Sequence, residues 1–423
     1  HRRSRLEHIR LSGPEIITMG CRLNLAESHA LAEQLGDEPN LVIVNSCAVT
    51  NEAVRQTRQA IRQARKRRPD ARIIVTGCAA QIEPQTFEAM AEADAVIGNL
   101  EKQSPALFAI DGPKVRVSDI MAVQATAPHL ATAFSGNTRA FVEVQTGCDH
   151  RCTFCIIPYG RGNSRSVPAG QVVEHVQRLV DKGIAEVVLT GVDVTSYGHD
   201  LPGQPNLGRL VEQIIRHVPT LPRLRLSSID GVEIDERLFD LITGEARIMP
   251  HVHLSLQAGD NLILKRMKRR HSREQAIEIV ARMKSKRPDI AIGADIIAGF
   301  PTEDEAMFEN SLALVEDCAI VHGHIFPYSS KTGTPAAKMP QVRAQDIKDR
   351  ARKLREAVAV KRDVWLNSLI GSTQKIVVEA GGTSGHSENF AYVELDRKVP
   401  EGAIVTAMIE GQENGRLQGR VAG

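Results

Sequence analysis

The chain has 423 residues, of which 42% are hydrophobic and 25% charged, and its formal net charge is +2. This length allows two or three domains, the composition excludes a disordered chain, and no apolar run approaches the roughly 18 residues of a membrane span. Because the net charge is small, any nucleic-acid binding must come from local basic patches. The basic start at residues 1–5 has no apolar segment behind it, and the seven cysteines are odd in number. We therefore expect a cytoplasmic protein with reduced or metal-bound thiols and no membrane partner.

Residues 14–102 are predicted to form an open α/β domain. Apolar runs at 14–19, 41–44 and 72–75 predict strands, and helical periodicity occurs at 24–35 and 51–68. This alternation implies a parallel sheet.

A cysteine follows each of these strands, namely Cys21, Cys47 and Cys78. Because the carboxyl ends of parallel strands meet at one edge of a sheet, we expect the three thiols to lie together as ligands of a metal cluster. Three unrelated buried thiols are the alternative.

The predicted helix at 51–68 carries a basic stripe, formed by Arg55, Arg58, Arg62 and Arg65. Such a stripe suits a phosphate backbone, although a solvated helix face is its commoner meaning.

Residues 103–136 have little periodicity and are predicted to be a linker, apart from a short strand at 114–117. Within residues 137–366, six strand-like runs are each followed by a helical or turn-rich segment; they span 140–145, 186–190, 223–227, 251–256, 290–297 and 321–326. Amphipathic stretches occur at 171–182, 207–217, 273–284 and 304–316. Six such units predict a partial (β/α)6 barrel with its function at the carboxyl ends of the strands.

The loop after the first barrel strand contains Cys148, Cys152 and Cys155. Three thiols at these spacings can converge on one metal centre and leave a coordination position open, whereas structural zinc sites normally have four protein ligands. The open position predicts a reactive centre.

A second basic run, at residues 265–271, follows the fourth barrel strand on the predicted active face, and we expect Arg266 and Arg269 to contact RNA. His251 and His253 are predicted to be hydrogen-bonded barrel histidines rather than metal ligands. Cys318 is predicted to be a core residue.

The last part of the chain, residues 367–423, follows a long charged helical pattern at 341–369. Strand-like runs at 374–379, 390–394, 404–409 and 415–421 are separated by glycine-rich turns. They predict a small β-barrel of OB-like type.

The Cys148–Cys155 spacing, with Phe154 before the last cysteine, resembles the signature of the radical S-adenosylmethionine (SAM) superfamily. The resemblance implies that the three cysteines hold a 4Fe-4S cluster, whose open iron binds SAM and cleaves it to a 5′-deoxyadenosyl radical. It also implies that Phe154 lies against the adenine of SAM. The further contacts to SAM that we expect from the barrel strands are Gly191, Asp193, Ser227, Gln257 and Asp295. Asp193 belongs to a Thr-Gly-Val-Asp sequence where many superfamily members have Gly-Gly-Glu.

Across nearly its whole length the chain is similar to the methylthiotransferase family. The matching segments are 19–24, 45–50, 76–81, 147–162, 225–228, 253–257, 295–301 and 326–329. The resemblance implies a second 4Fe-4S cluster at Cys21, Cys47 and Cys78, the use of two SAM molecules, and a C-terminal TRAM domain that binds RNA. It also implies a tRNA anticodon loop as substrate and an electron donor such as flavodoxin or ferredoxin.

The residues around Cys21 and Cys47 look most like the branch that adds a methylthio group to carbon 2 of N6-threonylcarbamoyladenosine at tRNA position 37. Two other branches remain as alternatives, one acting on isopentenyladenosine in tRNA and the other on an aspartate of a ribosomal protein. An alternative of another class is a non-catalytic RNA-binding protein in which both cysteine sets are structural metal sites.

Overall fold

The computed structural model describes residues 7–9, 13–104, 106–109, 112–123, 132–135 and 138–422. The basic start at residues 1–5 lies outside these residues.

The N-terminal part contains a six-stranded sheet whose strands lie side by side in chain order. Its strands are β1 (Glu7–Ile9), β2 (Glu15–Thr18), β3 (Leu41–Ser46), β4 (Arg72–Gly77), β5 (Ala95–Ile97) and β6 (Val115–Arg116). Its helices are α1 (Arg22–Leu35), α2 (Asn51–Arg67), α3 (Cys78–Ile82), α4 (Pro84–Glu88) and α5 (Ala106–Ala109). Every neighbouring pair is parallel except β1 and β2. The predicted parallel sheet is confirmed.

The central part contains all six predicted barrel strands. Its strands are β7 (Thr132–Ser135), β8 (Arg139–Thr146), β9 (Arg165–Ser166), β10 (Glu186–Gly191), β11 (Arg223–Leu226), β12 (His251–Gln257), β13 (Ala291–Ala298) and β14 (Ile320–Pro327). Its helices are α6 (Ile157–Arg161), α7 (Ala169–Asp181), α8 (Leu207–His217), α9 (Glu236–Gly244), α10 (Asn261–Arg266), α11 (Arg273–Lys286) and α12 (Glu305–Asp317). The short helices α6, α9 and α10 were not predicted.

Six of these strands follow one another in a curved parallel arrangement. Strand β10 pairs with β8 and β11, and β13 pairs with β12 and β14, all in parallel. Two isolated parallel bridges, Leu224–Ile248 and Ile229–Leu254, connect β11 with β12. Strands β7 and β9 pair with β8 in antiparallel orientation. The region predicted as a linker thus contributes β6 to the first sheet and β7 to the second.

The inner and outer faces of the curved sheet differ in chemistry because side chains alternate along each strand. The outward residues form an apolar core with the surrounding helices, and buried Cys318 belongs to this core as predicted. Many of the alternate positions on the inner face carry charged or polar side chains, including Glu143, Arg225, His253 and Asp295.

Helix α1 of the N-terminal sheet packs against β7 and β8 of the barrel. Its Ala26 lies in a small apolar cluster with Phe141 of β8 and Val188 of β10, both on the inner face. The N-terminal sheet therefore supplies a wall at the side of the barrel.

The C-terminal part consists of α13 (Ala344–Ser368) and a closed five-stranded barrel. Its strands are β15 (Thr373–Val378), β16 (Ser384–Ser387), β17 (Tyr392–Leu395), β18 (Ile404–Glu413) and β19 (Arg416–Val421), in the order β15-β16-β17-β19-β18. Four of these strands were predicted, and β16 was not.

The loop after β16 closes the base of the central barrel. Phe390 stacks on His251 of β12 with ring centroids 4.9 Å apart, and the Arg225 guanidinium lies 4.8 Å from the Phe390 centroid. Arg225 also donates to the carbonyl oxygen of Glu388 at 3.1 Å. Neither ring nitrogen of His251 has a hydrogen-bond partner among the described residues. The prediction of a hydrogen-bonded histidine is therefore wrong for His251, because an aromatic ring covers it instead.

Candidate metal centres and active site

The first cysteine set, Cys148, Cys152 and Cys155, lies on the loop between β8 and α6. Gly147 begins this loop with φ +73°, and a Cβ there would lie 1.9 Å from the carbonyl oxygen of Asn163, so only glycine fits. The Cys155 amide donates to the carbonyl oxygen of Cys152 at 3.0 Å, which closes a tight turn between two ligands. The loop is thus held in one conformation by its own backbone.

Two charged side chains lie close to these sulfur atoms. Arg269 places Nη1 3.7 Å from Cys152 Sγ and makes a 2.8 Å ion pair with Asp230. Asp193 lies with Oδ2 3.7 Å from Cys148 Sγ and 2.9 Å from His150 Nε2. Burial opposes ionisation of Asp193, but hydrogen bonds from His150 and Ser196 outweigh it and lower its pKa.

The second cysteine set, Cys21, Cys47 and Cys78, lies at the carboxyl ends of three adjacent strands, as predicted. Cys21 precedes α1, Cys47 follows β3, and Cys78 is the first residue of α3. A Cβ on Gly20 (φ +92°) would lie 2.6 Å from Cys47 Sγ, so the chain approaches that sulfur closely. The Asn24 side chain donates to the carbonyl oxygens of residues 19 and 46, which ties the ends of β2 and β3 together.

Arg161 lies beside the second set although it belongs to α6, directly behind the first set. It is buried, and it pairs with Glu27 at 2.8 Å and donates to Asn24 Oδ1 at 2.6 Å. Burial alone would lower the pKa of Arg161, but Glu27, with smaller contributions from Cys78 and Cys21, outweighs it and raises this pKa well above its ordinary value. Sequence reasoning missed Arg161 because nothing in its spacing points to Cys21 or Cys78.

The raised pKa values of two thiols, one in each set, fit residues that bind a metal cation. Burial, together with the other thiols of the same set, raises the pKa of Cys47 to about 12, and burial raises the pKa of Cys155 to about 12. Without a bound cation these groups stay protonated, and a metal is required to hold them as thiolates.

Two other groups of side chains each place three potential ligand atoms within 4.8 Å of one another. In the described part of the chain these groups are His253–Asp295–His324 and His150–Asp193–Glu233.

The two sets are joined by a segment that we name the strap, residues 329–336. At one end, Asn51, four residues after Cys47, donates through Nδ2 to the carbonyl oxygen of Ser330 at 3.0 Å. At the other end, the Ala336 amide donates to the carbonyl oxygen of Thr153 in the first loop at 3.0 Å. The two cysteine sets are therefore neighbours in space.

The residues predicted to contact SAM lie at different depths in the central barrel. Phe154 packs edge-to-face on Phe300 with centroids 6.3 Å apart. Gly191 ends β10, and the amide of Asp193 donates to Gln145 Oε1 at 2.8 Å. Ser227 follows β11, and its buried hydroxyl has no hydrogen-bond partner in the described ranges. This orphaned hydroxyl fits a missing ligand.

Two further predicted SAM contacts lie on β12 and β13. Gln257 ends β12 with φ +66°, an unusual conformation for a residue other than glycine. Asp295 lies deeper, three residues before the end of β13, and accepts hydrogen bonds from His253 at 2.9 Å and His324 at 3.1 Å. The predicted hydrogen bond of His253 is confirmed.

The basic stripe on α2 is largely neutralised. Arg55 pairs with Glu52 at 2.6 Å, Arg62 with Glu92 at 3.7 Å, and Arg65 with Asp94 at 2.6 Å. Arg58 makes no ion pair with any residue that the structure describes. Three of the four arginines are thus paired with carboxylates, of which Glu52 lies on α2 itself and Glu92 and Asp94 lie outside this helix.

The second basic run is also committed to internal contacts. Arg266 donates to Thr302 Oγ1 at 2.8 Å, and Arg269 is almost fully buried against Asp230 and Cys152. The side chain of Arg269 is 9% exposed, so little of its surface is available to an RNA. We find no candidate membrane span among the helices of the described residues.

Two family models match the chain. Residues 142–315 match the Radical SAM superfamily, and residues 14–98 match a model described as Uncharacterized protein family UPF0004. The two matched regions contain the two cysteine sets, one in each.

Relatives of the chain match it over nearly its full length. It is 49% identical to the threonylcarbamoyladenosine tRNA methylthiotransferase MtaB of Rickettsia prowazekii, over 96% of both chains. It is 35% identical to the protein of the same name from Aquifex aeolicus, over 93% of this chain and 98% of that one. It is 32% identical to the tRNA-2-methylthio-N(6)-dimethylallyladenosine synthase of Agrobacterium fabrum, over 96% of this chain and 97% of that one.

The fold resembles a solved structure of the radical S-adenosylmethionine methyltransferase TsrM from Kitasatospora setae, with tryptophan substrate and a SAM analog bound. The TM-score is 0.52 at 19% identity, and the match covers 73% of this chain and 66% of that one.

Proposed function

The chain belongs to the radical SAM methylthiotransferase family and is a transferase, and we propose that it converts N6-threonylcarbamoyladenosine at tRNA position 37 to its 2-methylthio derivative. The reaction uses two 4Fe-4S clusters and two SAM molecules. The sequence supports this substrate, because identity is 49% to a relative named for threonylcarbamoyladenosine and 32% to one named for dimethylallyladenosine. The alternative of a non-catalytic RNA-binding protein is wrong, since these relatives are named as enzymes.

The observation that carries the proposal is the joining of two incomplete cysteine sets by the strap and α6. Cys148, Cys152 and Cys155 would hold an iron-sulfur cluster that, with SAM bound, would supply one-electron cleavage of a carbon–sulfur bond, and the second cysteine set would hold the source of the transferred sulfur. The chain's part is to hold both sites on either side of one substrate carbon. Three thiols in each set leave one position open for a ligand from outside the chain.

We assign roles to the residues around the first set on the basis of their contacts. Cys148, Cys152 and Cys155 hold the cluster, and Arg269 stabilises the thiolate of Cys152 through its positive charge. In this proposal the SAM contacts are Phe154, Gly191, Asp193, Ser227 and Gln257. Asp295, which was also predicted to contact SAM, is left out because it lies deeper in the barrel. Because its guanidinium lies 3.7 Å from Cys152 Sγ, Arg269 acts on the charge of this sulfur without touching the substrate.

The second set, Cys21, Cys47 and Cys78, holds the auxiliary cluster in this proposal. Arg161 neutralises charge beside it and is itself held by Glu27. Lys102 forms a second ion pair with Glu27 at 2.7 Å, so this buried carboxylate is balanced by two cations.

We divide the chain into a methylthiotransferase domain (14–102), a linker (103–136), a radical SAM domain (137–366) and a TRAM RNA-binding domain (367–423). The anticodon loop of tRNA is the RNA partner, and a cytoplasmic electron donor such as flavodoxin or ferredoxin reduces the first cluster. Single-stranded loops can present an unstacked base to a protein pocket, which a duplex cannot. Of the α2 stripe, Arg58 is the side chain best placed to meet a phosphate.

The substrate assignment is tested by single-turnover reaction of the anaerobically reconstituted enzyme. Three tRNAs that carry threonylcarbamoyladenosine, isopentenyladenosine or unmodified adenosine at the same position are compared, and the nucleosides are read by mass spectrometry. We expect a gain of one methylthio group, fastest on the threonylcarbamoyl tRNA. A faster reaction on the isopentenyl tRNA, or product only on a ribosomal protein, would overturn the assignment.

A further inference from the structure

The inner face of the barrel carries a polar and aromatic group that no step above uses: His253, Asp295, His324 and Phe326. We propose that these four side chains form the pocket that receives the flipped purine base of the RNA substrate. The inference rests on the proposed function, since it names the residues that recognise the target base.

The polar part of the pocket is built on three adjacent strands. His253 Nε2 of β12 and His324 Nδ1 of β14 both donate to Asp295 Oδ1 of β13, at 2.9 and 3.1 Å. Burial alone would raise the pKa of Asp295, but the two histidines outweigh it and hold this pKa well below its ordinary value. The result is a carboxylate fixed in orientation.

Two polar atoms of this group remain available. Among the residues that the structure describes, Asp295 Oδ2 accepts no hydrogen bond and His324 Nε2 makes none. The His324 side chain is 51% exposed although it lies on the inner face. A carboxylate oxygen and an imidazole nitrogen therefore remain without partners among the described residues on the inner face of the barrel, where the side chains of Asp295 and His324 are 19% and 51% exposed.

The aromatic part of the pocket is Phe326, two residues after His324 on the same face of β14. Its ring is 40% exposed and lies 6.5 Å from the His324 ring at 80°. An exposed phenyl ring beside polar atoms offers a stacking surface for a base, and the polar atoms offer partners for its edge. A purine has the ring nitrogens, the N–H group and the flat face that match both.

The pocket lies between the floor of the barrel and the strap that joins the two cysteine sets. Below it, Phe390 and His251 close the barrel, so the pocket has a floor. Above it, β14 continues directly into the strap, which contacts Asn51 near Cys47 at one end and Thr153 of the first loop at the other.

A metal ion is the competing occupant of the same residues. His253, Asp295 and His324 each offer a ligand atom within 4.8 Å of the others, and catalytic zinc sites have three protein ligands. A stoichiometric metal ion at this position is therefore an outcome that the test separates from base binding.

The test is a binding cycle with the reconstituted holoenzyme and a fluorescent anticodon stem-loop. The stem-loop carries either threonylcarbamoyladenosine or an abasic nucleotide at the target position. We expect the wild-type protein to bind the abasic RNA at least about fivefold more weakly. In His324→Ala and Phe326→Ala, affinity for the intact RNA should fall to the abasic level, and affinity for the abasic RNA should stay unchanged.

Controls separate stacking and recognition from general damage. Phe326→Tyr keeps an aromatic ring and should keep the discrimination, and His217→Ala, an exposed histidine on α8, should behave as wild type. Equal losses on both RNAs in the pocket variants would overturn the inference, as would a stoichiometric zinc ion that is lost in His324→Ala. If the wild-type protein bound neither RNA, the proposed function itself would fail. If it bound both RNAs and the pocket variants discriminated between them as the wild type does, only this inference would fail.

Discussion

The two cysteine sets differ in how the chain brings their thiols together. The first set lies within eight residues of one loop, and its geometry depends on local hydrogen bonds such as that from Cys155 to Cys152. The second set comes from three strand ends, and its geometry depends on the register that pairs Thr18 with Asn45 and Asn45 with Thr76. A local site is therefore visible in the sequence as a spacing, whereas the distributed site is visible only through the topology of the sheet.

The largest expected difference between the sets is chemical. Replacing Cys148, Cys152 and Cys155 together by Ala should halve an iron content of roughly eight per chain and abolish SAM cleavage. Replacing Cys21, Cys47 and Cys78 should also halve the iron but leave cleavage measurable, because SAM binds at the first set. Iron assay and chromatography of the cleavage products measure both effects.

These two triple variants have a common control, Cys318→Ala, which removes a buried core thiol without touching either set. It should keep full iron and activity. Zinc in place of iron after anaerobic purification would contradict iron-sulfur clusters at the two sets. Loss of SAM cleavage in both triple variants would show that the sets do not have separate roles.

The next largest difference concerns the arginine beside each set. Arg269→Gln should weaken the first site and Arg161→Gln the second, each by about 10- to 100-fold in metal affinity, since both remove a charge that stabilises thiolates. Each substitution is combined with each triple cysteine variant, so that one cluster remains, and iron loss to a chelator is timed.

We expect each arginine substitution to affect only the cysteine set that it contacts. Arg269→Gln accelerates iron loss only where the first set remains, and Arg161→Gln only where the second set remains. Because Arg161 is buried with Glu27, thermal unfolding is measured alongside to identify loss of fold. If both substitutions accelerated iron loss from both sets equally, the arginines would be acting on global stability and not on their own sites.

Much of the fold followed from periodicity. All six barrel strands and the four long amphipathic helices around them were predicted, because alternating and helical patterns of apolar residues persist over enough positions. Strand β16 was missed because Ser384–Ser387 has no apolar alternation and is held by pairing with β15 and β17. Helix α10 was missed because it is short, although Asp260 at its N-cap accepts from the amides of residues 262 and 263.

The site was predicted less completely than the fold. The six cysteines could be identified from spacing and strand ends, but their charged neighbours come from distant segments. Arg161 reaches the second set from α6, and Asp94 neutralises Arg65 across 29 positions of sequence. Such pairs depend on tertiary packing, so the sequence showed the arginines of α2 but not the carboxylates beside Arg62 and Arg65.

The smallest predicted effect comes from two carboxyl groups between the sets. Glu27, on α1, is buried, but Arg161 and Lys102 outweigh the burial and lower its pKa to about 2. At Glu143, on the inner face of β8, the same two cations do not outweigh the burial. Burial and the nearby charge of Glu27 raise its pKa from 4.5 to about 7.

This difference predicts a pH dependence of stability with a definite sign. Between pH 4.5 and 7 the folded protein binds a proton at Glu143 that the unfolded chain has released, so this group makes the free energy of unfolding fall as pH rises. From pH 5.5 to 8 the wild-type protein should lose about 2 kcal/mol more than Glu143→Gln, which cannot ionise. Glu27 contributes nothing over this range because it is ionised in both states. Thermal unfolding of both proteins at the two pH values measures the difference, and parallel changes would mean that Glu143 is already ionised in the folded protein, as Glu27 is.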